Sequence, residues 1–167
     1  MAAEKVDLSS NPLFDKKLIN AFIESVIKTL ESMAQTKVSP GKPTVEAKAN
    51  IKGEVAGIIG MVAGEVRGNL VIAFSSQGAF KILENMLGEK HTVVNSEVTD
   101  AVGELTNMIY GSAKTTLNQL GFNFDMAIPT VVSGNFQVAN IHNGTTLSVP
   151  FIIEPDKMMY VEISVQT

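Results

Sequence analysis

Apolar residues recur at helical spacing from Leu13 to Ala34, with Leu18, Phe22, Val26 and Leu30 on one face and Ile19, Ile23 and Ile27 beside them. This predicts a first helix, ended by the cluster Pro40, Gly41 and Pro43. The period then shortens. Thr44–Asn50 alternates, Val55–Val62 is almost wholly apolar, and Arg67–Ser75 completes a set of three predicted strands after a turn at Gly64-Glu65. Ser76–Leu87 returns to helical spacing through Phe80, Leu83 and Leu87, with Gly88 as its stop. Asn95-Ser96 is a capping pair with Glu97 and Asp100 in the first turn behind it, and predicts a helix running to Leu120 with a stop at Gly121. Strands are predicted again at Pro129–Val132, Phe136–Ile141, Thr145–Ile153 and Met158–Val165, with a tight hairpin at Asn143-Gly144.

Each half of the chain therefore opens with a helix, and the strand that follows carries the same tripeptide, Pro43-Thr44-Val45 and Pro129-Thr130-Val131. The matching order points to an internal duplication of a helix-plus-three-strand unit. The fold class that follows is α/β (α+β), a two-layer sandwich with helices packed on one face of a largely antiparallel sheet. The expectation is a single domain over residues 1–167, with 1–12 as a flexible N-terminus.

Composition narrows what such a domain does. With 45% hydrophobic and 18% charged residues the chain is a globular one. Its net charge is −4 and its 13 basic residues are scattered, which argues against a nucleic-acid surface. The absence of Cys removes disulfides, thiolate nucleophiles and Cys-based metal sites together. His91 and His142 are far apart and without ligand-spaced carboxylates, so no metal site is expected. No nucleotide-binding glycine loop or nucleophile-elbow pattern occurs. The stretch MAAEKVDLSSNP has no apolar segment of signal-peptide type. The most membrane-like run, Val55–Gly64, has ten residues, against about 20 for a bilayer span. A cytoplasmic protein with no membrane partner is expected.

The candidate chemistry lies in the last helix. With about 100° per residue, Val98, Val102, Leu105, Met108, Ile109, Ser112 and Leu120 fall on one broad side. Asp100, Glu104, Asn107, Gly111, Lys114 and Asn118 form a stripe on the other. Glu104 and Asn107 are surface neighbours at i and i+3. Such a stripe is ordinarily just the wet side of a helix. Gly111, however, costs about 1 kcal/mol relative to Ala at an interior helical position. Either it lets another surface approach beside Asn107, or it relieves a clash with a loop of the same chain.

The run DAVGELTNMIYGSAKTTLNQLG resembles the signature helix of the CheC/CheX/FliY family of chemotaxis phosphatases, an E-x-x-N motif followed by a Gly. The strand Gly64-Glu65-Val66-Arg67-Gly68-Asn69-Leu70-Val71-Ile72-Ala73-Phe74 is similar to that family's GxVxGxLxIxF pattern, and the likeness extends over essentially the whole chain. The resemblance implies hydrolysis of the aspartyl phosphate on a CheY-type receiver domain. Asn107 would be the catalytic Asn and Glu104 the Glu that anchors the partner. The receiver would supply the phosphoaspartate, Mg²⁺ and a Lys, and this chain would need no cofactor of its own. The residue type fits, since a carboxamide donates and accepts hydrogen bonds and can hold a water in line with phosphorus. Asp100, Gly111 and Lys114 would flank the partner. Members with two active helices exist; here the first-half counterpart is Glu24 with Ile27 in the Asn position, which implies one site per chain. The resemblance also implies a homodimer joined through the sheet, because apolar C-terminal strands would otherwise leave an open edge. The alternative function is a non-catalytic receiver-binding module, or a flagellar-switch-like adaptor, using the same helix.

Overall fold

Residues 15–46, 51–64, 66–125, 127–134 and 145–166 are described by the structure, a computed structural model. The elements in chain order are α1 (Lys16–Ala34), β1 (Ser39–Pro40), β2 (Thr44–Glu46), β3 (Val55–Ala63), β4 (Val66–Phe74), α2 (Ser76–Leu87), α3 (Ser96–Gln119), β5 (Thr130–Ser133), β6 (Thr146–Glu154) and β7 (Lys157–Gln166). Side-chain caps start all three helices. Asp15 accepts from the Lys17 N–H, Ser75 from Gly78 and Asn95 from Val98, each satisfying a donor the helix cannot.

The first helix ends at Ala34, as its apolar spacing predicts, ahead of the Pro40–Pro43 cluster. Gln35 takes a left-handed conformation with φ 47°, and the Thr36 N–H donates to the Leu30 carbonyl at 2.9 Å. This is a local cap, and Asn85 of α2 adds a tertiary contact beyond it by donating to the Thr36 hydroxyl at 2.9 Å. The predicted strand Phe136–Ile141, the Asn143-Gly144 hairpin, the end of Thr44–Asn50, His142 and the expected flexible segment 1–12 lie outside the described residues.

The seven strands form one antiparallel sheet in the order β1-β6-β7-β4-β3-β5, with β2 also on β6. Exchanging β2 with β5, β3 with β6 and β4 with β7 turns the path from β2 to β5 into its own reverse. The two halves are thus paired with two-fold symmetry. With the repeated Pro-Thr-Val tripeptides superposed, the register carries Gly57 onto Leu147 and Val71 onto Glu162. Val71 and Glu162 are themselves cross-strand partners, so the pseudo-axis passes between them.

Alternation divides the sheet. Leu147, Val149, Phe151, Met159, Val161, Ile163, Leu70, Ile72, Phe74, Val55 and Ile59 face the helices and are buried with Leu18, Phe22, Val26 and Leu30 of α1 and Ile82 and Leu83 of α2. The opposite face carries a smaller apolar group of Ala56, Val71 and Ala73 and a buried polar set of Thr146, Ser148, Glu162 and Ser164. The expected two-layer architecture is what forms. The C-terminal strands are not its open edge, however. β6 and β7 lie inside the sheet, and among the described residues the edges are β5 on one side and β1 with β2 on the other. The alternation was readable locally and β1 was not, and edge position depends on pairing between distant segments. Among the described residues, no helix is long and apolar enough to cross a membrane.

Candidate functional site

α3 is 24 residues long and crosses the sheet over β3 and β5, with α1 against its other flank. It buries Val98, Val102, Leu105, Thr106, Ile109, Tyr110, Ala113 and Leu117. This face is rotated slightly from the one predicted, since Met108 and Ser112 are only half-buried and Leu120 is 49% exposed. Thr106 explains the rotation. Its hydroxyl donates back to the Val102 carbonyl at 2.7 Å, which hides its polarity inside the helix. Its side chain then seats on Gly57 of β3, where an added Cβ would overlap the Thr106 hydroxyl and methyl groups. A second close approach lies one turn away, where a Cβ on Gly103 would stand 3.1 Å from Val131 Cγ2 of β5.

Two further contacts hold the C-terminal half. Tyr110 donates its phenol to the Asp125 carbonyl at 2.6 Å, and burial, with nearby Asp125 adding to it, pushes that phenol above its ordinary pKa. Asn118 receives the Phe124 N–H at 2.8 Å and donates to the Phe124 carbonyl at 3.2 Å. The last polar residue of the predicted stripe therefore ties down a loop.

Glu104 and Asn107 are exposed on the opposite face, adjacent, on a helix that four contacts hold in place. They line a groove of about 440 Å³ with Thr99, Asp100 and Gly103 of α3 and Ile128, Pro129 and Val131 at the start of β5. Asp100 joins the pair in this groove, whereas Gly111 and Lys114 lie farther along the helix and do not line it. A Cβ on Gly111 would meet nothing within 4 Å, so among the described residues this glycine relieves no clash. Glu24 of α1 is exposed and Ile27 is half-buried against the core. Ile128 carries no local signal of this role, because its place on the groove depends on β5 pairing with β3.

His91 departs from the sequence expectation of having no carboxylates nearby. Its Nε2 lies 2.8 Å from Glu97 Oε2, and Glu89 brings a third donor, all within 4.8 Å of one another. Glu97 is in the first turn of α3, and the hydrogen bond ties the preceding loop to that helix. Both carboxylates are exposed; His91 Nε2 is engaged by Glu97, and its buried Nδ1 has no hydrogen-bond partner among the described residues.

A family model described as "Chemotaxis phosphatase CheX" matches residues 55–152. The CheY-P phosphatase CheX of Thermotoga maritima is 29% identical over 155 residues, covering 92% of this chain and 98% of that protein. Among solved structures, the chemotaxis protein CheX from Vibrio vulnificus superposes with a TM-score of 0.81 at 39% identity, over 90% of this chain and 99% of that one. CheX in the CheX–CheY–BeF3–Mg²⁺ complex from Borrelia burgdorferi superposes with a TM-score of 0.75 at 26% identity, over 90% of this chain and 98% of that one.

Proposed function

Because this chain belongs to the CheX family of chemotaxis phosphatases, we propose that it hydrolyses the aspartyl phosphate of a CheY-type receiver by inserting α3 into the receiver's active site. The observation that carries this reading is the exposed Glu104–Asn107 pair on a helix anchored along its other side. An acyl phosphate is already activated, so the remaining task is to place a water in line with phosphorus. Asn107 does this through its carboxamide, whose oxygen accepts a hydrogen bond from the water and whose N–H donates to a neighbouring oxygen, without a change of charge. Glu104 meets the receiver's lysine, and the pair desolvates together on docking. Asp100 and Lys114 bracket the contact, and Gly111 leaves room for the receiver's loops. Mg²⁺ belongs to the receiver, in keeping with the Borrelia complex. The protein works where such receivers do, in the cytoplasm.

The chain also pairs with a second copy through the β1/β2 edge, which leaves the groove free. Supporting this are the outer side of that edge, which no other strand among the described residues pairs with, and the exposure of Val45 (56%) and Ile152 (46%) beside it. Sedimentation at twice 17.9 kDa, lost in Val45→Lys, is the expected result.

The test of the enzyme is phosphate release from a CheY-type receiver charged with acetyl phosphate and Mg²⁺, with wild type and Asn107→Ala side by side. Acceleration by wild type alone supports the reading. Full activity in Asn107→Ala overturns the mechanism, and binding without acceleration by wild type makes the chain a docking module.

A further inference from the structure

The water-positioning chemistry uses Glu104 and Asn107 but leaves the rest of their groove unexplained. Its far wall is apolar. Ile128 is 90% exposed, the highest value among the large hydrophobic side chains exposed in the described residues. It precedes Pro129, which restricts Ile128 to extended backbone and holds it at the groove's lip. Val131 and the bare backbone of Gly103 continue that wall inward, while Asp100 and Glu104 supply two carboxylates at the rim and no lining residue is basic. An exposed isoleucine held against an acidic rim, and continuous with a catalytic pair, is the pattern of an interface core before its partner arrives.

We propose that this groove is the enzyme's specificity pocket. It receives one apolar side chain from the receiver loop that borders the phosphoaspartate, with Ile128 packing over that side chain and Asp100 facing a basic group next to it. The inference rests on α3 being the inserted helix, and it adds a second point of recognition that orients the insertion. Two points fix a direction where one only fixes a position. The pocket therefore selects among receivers that all carry the same phosphoaspartate chemistry.

The experiment measures both turnover and equilibrium binding, using a receiver activated with beryllofluoride for the binding arm. Ile128→Asp is expected to raise KM and Kd roughly ten- to a hundredfold, the loss of one buried isoleucine contact. Its kcat should stay within about threefold of wild type. Ile128→Leu should restore both constants, and melting curves of each variant should match wild type. Unchanged KM and Kd in Ile128→Asp overturn the pocket, as does a fall in kcat alone. The arms separate the two readings. If wild type binds the receiver without dephosphorylating it and Ile128→Asp weakens that binding, the pocket stands and the phosphatase reading falls. If Asn107→Ala abolishes turnover while Ile128→Asp equals wild type, the phosphatase stands and the pocket falls.

Discussion

Glu24 and Glu104 put the same carboxylate on the exposed side of a helix in each half of the chain. Around them the halves diverge. One turn on, α1 has Ile27 where α3 has Asn107, and Glu31 where α3 has Gly111. Behind the carboxylate, Ile23 stands in place of Gly103, and Ile23 and Ile27 both pack against the core. In the sheet, Leu147 occupies the position of Gly57, and before the repeated tripeptide Lys42 replaces Ile128. α3 can therefore press onto β3 and β5 through two glycines, whereas α1 packs chiefly against α3. A carboxylate at the right helical position is common. The second half adds a carboxamide, a close helix–sheet approach and an apolar lip beside it.

The sharpest way to break this comparison is to move the carboxamide. Asn107→Ala should lower receiver dephosphorylation by roughly a hundredfold or more, the scale for losing the group that positions a reactant. Adding Ile27→Asn to that variant should restore nothing, because α1 has Ile23 and Glu31 where α3 has its two glycines; recovered phosphate release would show that the surroundings are dispensable.

Next are the matched sheet positions. Leu147→Ala should cost about 2–5 kcal/mol of stability in a urea melt, as for other buried leucines, while folded protein keeps its turnover. Gly57→Ala should cost about 1–3 kcal/mol by overpacking against Thr106, and also lower turnover by displacing Glu104 and Asn107. Equal turnover in the two variants would remove the argument that the close approach sets the site.

The pseudo-axis offers a third test, since Val71 and Glu162 are equivalent, buried and paired. Among the described residues neither oxygen of Glu162 has a hydrogen-bond partner, and burial raises its pKa to about 7, with Lys52 opposing the rise and Glu46 adding to it. A carboxyl whose folded pKa is raised stabilises the fold fully below its unfolded value of about 4.3. That stability drains away as pH climbs to about 7 and is gone above it. Between pH 4.5 and 8.5 wild type should lose up to about 3 kcal/mol more than Glu162→Gln. Parallel pH profiles would show that Glu162 does not carry this difference between the halves.

The smallest effect concerns Gly111. Gly111→Ala should raise stability by about 0.5–1 kcal/mol, because the added methyl meets nothing and the helix gains propensity. Gly111→Leu should weaken receiver binding, measured as Kd, without unfolding the protein. A destabilised Gly111→Ala would mean that the glycine serves this chain's own packing.

Much of the fold was legible because its signals are local. Asn95 caps α3 as its residue type implies, and Gly88 ends α2 with φ 75°. The alternation of β4, β6 and β7 separates a helix-facing from an outer side as read. The Glu104, Asn107 and Asp100 stripe was visible from 3.6-residue periodicity alone, and all three residues are exposed. The buried side of the same helix was read less well, because Thr106 is polar by composition and apolar in practice once its hydroxyl bonds to Val102. His91 meeting Glu97 was missed, since only the bend of the loop before α3 brings them together.

By itself, then, the sequence determined the three helices and the main strands among the described residues, that the chain is built from two like halves, and which helix offers a carboxylate with a carboxamide. Those properties depend on neighbours a few residues away, and periodicity records them. Tertiary structure alone decided that β5 pairs with β3 beside α3, that Gly57 receives Thr106 and that Ile128 stands over the groove. Each of these joins segments distant along the chain, and their meeting is set by strand register and helix–sheet packing, which one segment's pattern does not encode.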